Sequence, residues 1–126
     1  MNRTTAILAA AAAGAIAVPT IASANDADIR STGKCTATST SKIKVKPRDG
    51  GLEVEFEVDQ NVNGQAWNVK LKDNGSVFFA GTRTTQAPSG SFSVSRRTTN
   101  LAGTDAIVGR AVNQNTGEIC KGTLDF

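Results

Sequence analysis

KIKVKPRDGGLEVEFEVD, residues 42–59, alternates with a period of two on both sides of a turn-forming centre. Ile43 and Val45 share one face, and Lys42, Lys44 and Lys46 share the other. Beyond Pro47-Arg48-Asp49-Gly50-Gly51, Leu52, Val54, Phe56 and Val58 alternate with Glu53, Glu55, Glu57 and Asp59. A period of two marks a strand with one buried and one wet face, and Pro-Asp-Gly between two such strands makes a hairpin. In this hairpin a lysine stripe lies beside a glutamate stripe. Opposite charges favour that pairing, and like charges within each stripe disfavour others.

The same period runs outward in both directions. Upstream, Cys35 and Ala37 continue the apolar face while Thr36, Thr38 and Thr40 continue the polar one, so the first strand is expected to begin at Cys35. Downstream, Trp67, Val69 and Leu71 alternate with Asn68, Lys70 and Lys72, and Asn74-Gly75 before the run Val77-Phe78-Phe79-Ala80 signals a second hairpin. A two-residue loop there sets Leu71 opposite Phe78 and turns Phe78 into the core; a three-residue loop turns in Phe79 instead. Further strands are expected over residues 91–98, with Phe92 and Val94 inward, over residues 104–113, with Ile107, Gly109 and Ala111 on one side, and over residues 118–125, carrying Cys120 and Leu124. No segment beyond the first 24 residues has a helical period. About seven short strands separated by turn formers predict an all-β fold: a single immunoglobulin-like β-sandwich of antiparallel strands over residues 34–126, after a flexible segment at residues 25–33.

The chain start carries a different signal. Met1-Asn2-Arg3 is a short positive beginning, residues 6–18 are an unbroken apolar or small run, and Ala22-Ser23-Ala24 fits the small-x-small cleavage rule of a secretory signal peptide, residues 1–24. As a helix the run spans about 20 Å, short of a hydrocarbon core of ~30 Å, so no membrane span is expected once the leader is removed. The expected location is extracellular. Removing Arg3 with the leader lowers the formal charge of +3 by one, too small a balance to support a nucleic-acid partner. Export to an oxidising compartment favours a disulfide between Cys35 and Cys120, the two cysteines of the chain. Closing so long a ring contributes on the order of 4 to 5 kcal/mol on the chain-entropy model.

CTATSTSKIKVK (35–46), LEVEFEVDQNVNGQAWNVKLKDNGSVFFAGTRTT (52–85), APSGSFSV (87–94) and NTGEIC (115–120) resemble a group of small secreted actinobacterial proteins with similar leaders and cysteines. The resemblance covers most of the chain after the leader. It implies an extracellular bacterial protein with an immunoglobulin-like fold and carries no assigned activity. Secreted actinobacterial β-sandwiches also include the enediyne-carrying chromoproteins, which usually have four cysteines where this chain has two.

Residue chemistry excludes more than it names. DQNVNGQ, residues 59–65, opens like the calcium loop of a helix-loop-helix protein, but the twelfth loop position, which must be a bidentate glutamate, is Lys70. Asn and Gly there are better read as residues of a loop that needs positive φ. With no histidine in the chain, Ser-His-Asp and Cys-His catalysis and the usual zinc ligands are absent. Glu53, Glu55, Glu57 and Asp59 read as the wet face of a strand rather than an acid/base pair, and Asp105 as a residue that satisfies backbone amides at the residues 100–105 corner. Trp67, in phase with Val69 and Leu71, reads as a core tryptophan. Asn74-Gly75-Ser76 matches a glycosylation sequon that a bacterial protein leaves unmodified.

A basic, hydroxyl-rich surface remains: Arg83, Arg96 and Arg97 with Thr82, Thr84, Thr85, Thr98 and Thr99. Guanidinium groups suit sulfated, phosphorylated or carboxylated polymers. Arg96 and Arg97 are neighbours, so only one of them can share a strand face with Arg83. The expectation is a secreted, non-catalytic binding or surface-association module without cofactor or metal. Its candidate partners are an anionic cell-wall polymer or another secreted protein. The alternative is an inhibitor of extracellular proteases that presents residues 86–91.

Overall fold

The computed structural model describes residues 28–126, and the expected leader, residues 1–24, lies outside them. Every strand pairs antiparallel. In chain order the strands are β1 (Ile29–Thr32), β2 (Lys34–Cys35), β3 (Thr40–Arg48), β4 (Gly51–Asp59), β5 (Ala66–Asp73), β6 (Ser76–Thr84), β7 (Ser91–Thr99), β8 (Ala106–Asn113) and β9 (Ile119–Asp125). One sheet has the order β2-β9-β8-β5-β6 and the other β1-β3-β4-β7. Among the described residues no helix is long and apolar enough to cross a membrane.

The β3–β4 hairpin forms in the register its charges favour: Lys42 pairs with Glu57, Lys44 with Glu55 and Lys46 with Glu53. Its loop is Asp49-Gly50, with φ of 51° and 81°. Two successive left-handed residues match the right-handed twist of the flanking strands, which is why Asp-Gly closes so short a turn.

Among the described residues nine strands form rather than about seven, for two reasons. Residues 29–32, inside the segment expected to be flexible, pair with β3 from Ile29 opposite Val45 to Thr32 opposite Lys42. The strand expected to run on from Cys35 also breaks, because residues 36–39 leave the sheet to wrap a carboxylate. Glu118 Oε2 accepts from the backbone amides of Ala37 and Ser39 at 3.1 and 2.9 Å, and Oε1 accepts from Ser39 Oγ at 2.7 Å. A fully used buried carboxylate outweighs two more ladder bonds. Cys35 and Cys120 are direct partners on β2 and β9, with Cα atoms 4.0 Å apart, and form the expected disulfide.

The two alternatives for the second hairpin are both half right. Asn74-Gly75 is the two-residue loop, with Asp73 opposite Ser76 and Lys72 opposite Val77, but a β-bulge follows and sets Leu71 opposite Phe79. Phe78 is the extra residue. Beyond the bulge the inward face of β6 is therefore Phe79, Gly81 and Arg83.

Residues from both sheets make one core: Ile43, Leu52, Val54, Phe56 and Val58 on one side, Trp67, Val69, Leu71, Ile107 and Ala111 on the other. Trp67 is fully buried, donates Nε1–H to Gln60 Oε1 at 3.0 Å, and packs its ring 6.1 Å from Phe92. Gly109 and Gly122 are direct partners on β8 and β9. A Cβ at Gly109 would lie 2.8 Å from the Phe56 ring, so this glycine pair is the recess into which that ring fits.

Candidate functional site

β6 and β7 are consecutive in the chain, yet each is the last strand of a different sheet. Among the described residues no further strand covers their inner faces at this side of the sandwich. Phe79, Gly81 and Arg83 of β6 lie opposite Leu71, Val69 and Trp67 and share their inward direction. On β7, Arg96 lies opposite Val54 and Thr98 opposite Leu52, also inward. The edge of an apolar core is thus lined by two arginines.

Phe79 organises them. Gly81 leaves room for its ring to lie along the strand, since a Cβ at that position would sit 3.0 Å from Phe79 Cζ. The guanidinium carbon of Arg83 is 5.0 Å from the ring centroid and that of Arg96 is 4.7 Å from it. Each such contact contributes about 0.5 to 1 kcal/mol at an exposed site. Nη1 of Arg83 donates to the Thr82 carbonyl at 3.0 Å, and Nη1 of Arg96 to the Ser95 carbonyl at 3.1 Å. Among the described residues, neither arginine takes part in an ion pair. Two cations held over one ring repel, and an anion between them relieves that repulsion while filling their unused N–H groups.

The other expected members of the patch go elsewhere. Arg97 points to the opposite face and pairs with Asp49, Nη2 to Oδ2 at 2.7 Å. Thr82, Thr84 and Thr99 are exposed away from the arginines, and Thr85 is buried, its hydroxyl donating to the Val62 carbonyl at 2.6 Å. Of the threonines only Thr98 shares the inward face of Arg96. Residues 86–91 form a closed turn: Gln86 N–H donates to Ser91 O at 2.9 Å, and Gly90 O accepts from Gln60 and Asn61 at 2.9 and 3.2 Å. Asn61 and Gly64 of DQNVNGQ have φ of 63° and 79°, and Asp59 Oδ1 accepts from the Asn61 amide, so this motif serves its own loop.

Three buried acids were not singled out by sequence as a group. Glu118 lies with Cys35 and Cys120 in a cluster whose donor atoms are within 4.8 Å of one another, but the sulfurs are bonded together and the carboxylate is engaged by residues 36–39. Asp105 Oδ1 accepts from the Leu101 amide at 3.2 Å, the amide-satisfying role expected of it. Asp73, in phase with Trp67, Val69 and Leu71, points into the core, and neither of its carboxyl oxygens meets a donor. Burial, with the facing Asp105 carboxyl adding to it, pushes the Asp73 pKa up to about 6. A proton kept on Asp73 removes the repulsion between the two facing carboxyls.

Compared with protein-family models, with curated proteins and with solved structures, the chain finds no match.

Proposed function

We propose that this protein is an exported, non-catalytic binding module that seats an anionic group, carboxylate, sulfate or phosphate, between Arg83 and Arg96 above Phe79. The observation that carries this reading is the convergence of two guanidiniums without carboxylate partners on one ring at the uncovered side of the sandwich. Export is supported by the leader and by the resemblance to secreted actinobacterial proteins, and a structural disulfide is compatible with an extracellular location. The immunoglobulin-like assignment belongs to the same reading: a buried tryptophan lies between two antiparallel sheets, although the disulfide staples neighbouring strands of one sheet. A protease-inhibitor role draws little support from residues 86–91, whose ends are bonded to each other rather than extended.

The test is retention on anionic cell-wall material at low salt. The double variant Arg83→Gln, Arg96→Gln should lose retention with only a modest fall in Tm, because losing the two ring contacts is partly offset by relief of the repulsion between the guanidiniums. Phe79→Leu should weaken retention by releasing the two guanidiniums. Equal retention of wild type and double variant would remove the cluster as the binding site.

A further inference from the structure

On the outer face of the five-stranded sheet, four cations from four separate strands fall into one line. Lys34 is the direct partner of Lys121, Lys121 of Arg110, and Arg110 of Lys70. All four are exposed. With neighbouring strands about 4.8 Å apart, the line is roughly 14 Å long. Among the described residues none of the four makes an ion pair, and the one acid among the outward residues of these strands is Asp125, at the end of β9. Like charges directly opposite one another destabilise a sheet. A face that had only to be soluble could alternate its signs, as the other sheet does.

The charge is a line and not a field. On one side of it lie Ile119, Val112, Asn68 and Thr82, and on the other Thr123, Val108, Lys72 and Val77. These flanking rows are aliphatic, amide and hydroxyl groups with a single further cation. A lipid surface would draw on cations spread over the whole face, and a nucleic acid would draw on aromatic side chains for its bases, of which the two rows have none. A chain of acidic sugars fits better: a file of anions bordered by C–H faces and hydroxyls. The line also has a direction. Lys70 is opposite Ala80 on the edge strand β6, and the next residue, Phe79, is the one that carries Arg83 and Arg96.

We infer that the five-stranded sheet binds a linear acidic polysaccharide laid across its strands from Lys34 to Lys70, which passes over β6 to place an anionic group between Arg83 and Arg96. This rests on the reading of the arginine cluster as an anion site and makes its ligand a polymer. Lys70 and Lys121 supply compact charges to successive carboxylates, and Arg110, in the middle of the line, supplies a planar fork.

The experiment titrates wild type, the triple variant Lys70→Gln, Arg110→Gln, Lys121→Gln, and the double variant Arg83→Gln, Arg96→Gln with a galacturonate trimer and with long polygalacturonate at low salt. Wild type should bind the long chain more tightly per carboxylate than the trimer, with an affinity that falls steeply with salt. The triple variant should bind the trimer as wild type does and lose about tenfold to a hundredfold in affinity for the long chain. A triple variant that matches wild type on the long chain overturns the inference and leaves the arginine cluster standing. If the double variant keeps both affinities while the triple variant loses the long chain, the arginine reading fails and the line of cations stands alone. Tighter binding of wild type to phosphatidylglycerol vesicles or to single-stranded DNA than to polygalacturonate, at equal charge, overturns the assignment of the ligand as a polysaccharide.

Discussion

The two outer faces of the sandwich treat lysine in opposite ways. On the four-stranded sheet each lysine of β3 faces a glutamate of β4, with Nζ to carboxylate distances of 3.6, 3.3 and 3.8 Å for Lys42, Lys44 and Lys46. Arg48 adds a pair to Glu53 at 2.9 Å. The Ser95 hydroxyl, donating at 2.9 Å, with Arg48 and Lys46 beside it, holds the Glu53 carboxyl below the usual carboxylate range. On the five-stranded sheet the corresponding positions set cation against cation. Exposed ion pairs contribute little each, about 0 to 1 kcal/mol, so the ordered face gains mainly register: a slip of one residue would turn its whole apolar set into water. The line of cations gains nothing for the fold. On the reading proposed above, that difference separates charges placed for folding from charges placed for a ligand.

The largest test concerns like charges in a third setting, the core. Asp73 has its pKa raised to about 6 from an ordinary 3.8, so the folded state holds a proton that the unfolded chain releases between those values. The stabilisation is fully present below the unfolded pKa and is lost as pH rises from about 4 through about 6. Urea unfolding of wild type and of Asp73→Asn at pH 4.5 and 7.5 should show the variant ahead at the higher pH by on the order of 1 to 3 kcal/mol, because its amide donates to Asp105 without titrating. The contribution of Glu53 runs the opposite way with pH and cancels in the difference between the two proteins. A wild type that matches the variant at both pH values would show that the buried pair bears no like-charge penalty.

Next in size is an attempt to make the ordered face resemble the other. Arg30, Lys44 and Glu55 are successive partners across β1, β3 and β4, so Glu55→Lys sets three cations in line. It should destabilise by about 1 kcal/mol at low salt and by less at high salt. The reverse change is the smallest: Arg110→Glu breaks the line on the five-stranded sheet and should raise stability by a few tenths of a kcal/mol, seen as a slight rise in Tm that disappears at high salt. If Arg110→Glu is instead destabilising, the line is part of the fold and the contrast between the two faces is lost.

Legibility in the sequence followed the range of the interaction. The β3–β4 hairpin, with its register, turn and facing stripes, was readable because pleat, turn chemistry and charge all act within residues 42–59. The burial of Trp67 and the pairing of Cys35 with Cys120 were also readable, the first from period and the second from the compartment expected of a chain with a leader. Arg83, Arg96 and Arg97 were recognised as cations of one basic surface, with room for only one of the last two beside Arg83, but that Arg83 and Arg96 meet from different sheets was not legible, because strand order is not local. Nor was Phe79 seen as their platform, because a bulge between Leu71 and Lys72 shifts the register by one residue and nothing in a two-period pattern announces it. Asp73 was in phase with its buried neighbours, and that signal was masked by the turn that follows it.

Away from the bulged strand β6 and the turn at Asp73, the sequence by itself determined which residues face water and which face the core, because side-chain direction in a regular strand is local and alternates with every residue. It also determined an all-β chain closed by one disulfide. Only the tertiary structure decided which outward residues become neighbours. Lys34, Lys70, Arg110 and Lys121 stand in one line because β2, β9, β8 and β5 pair in that order, and strand order is settled by the packing of the whole core.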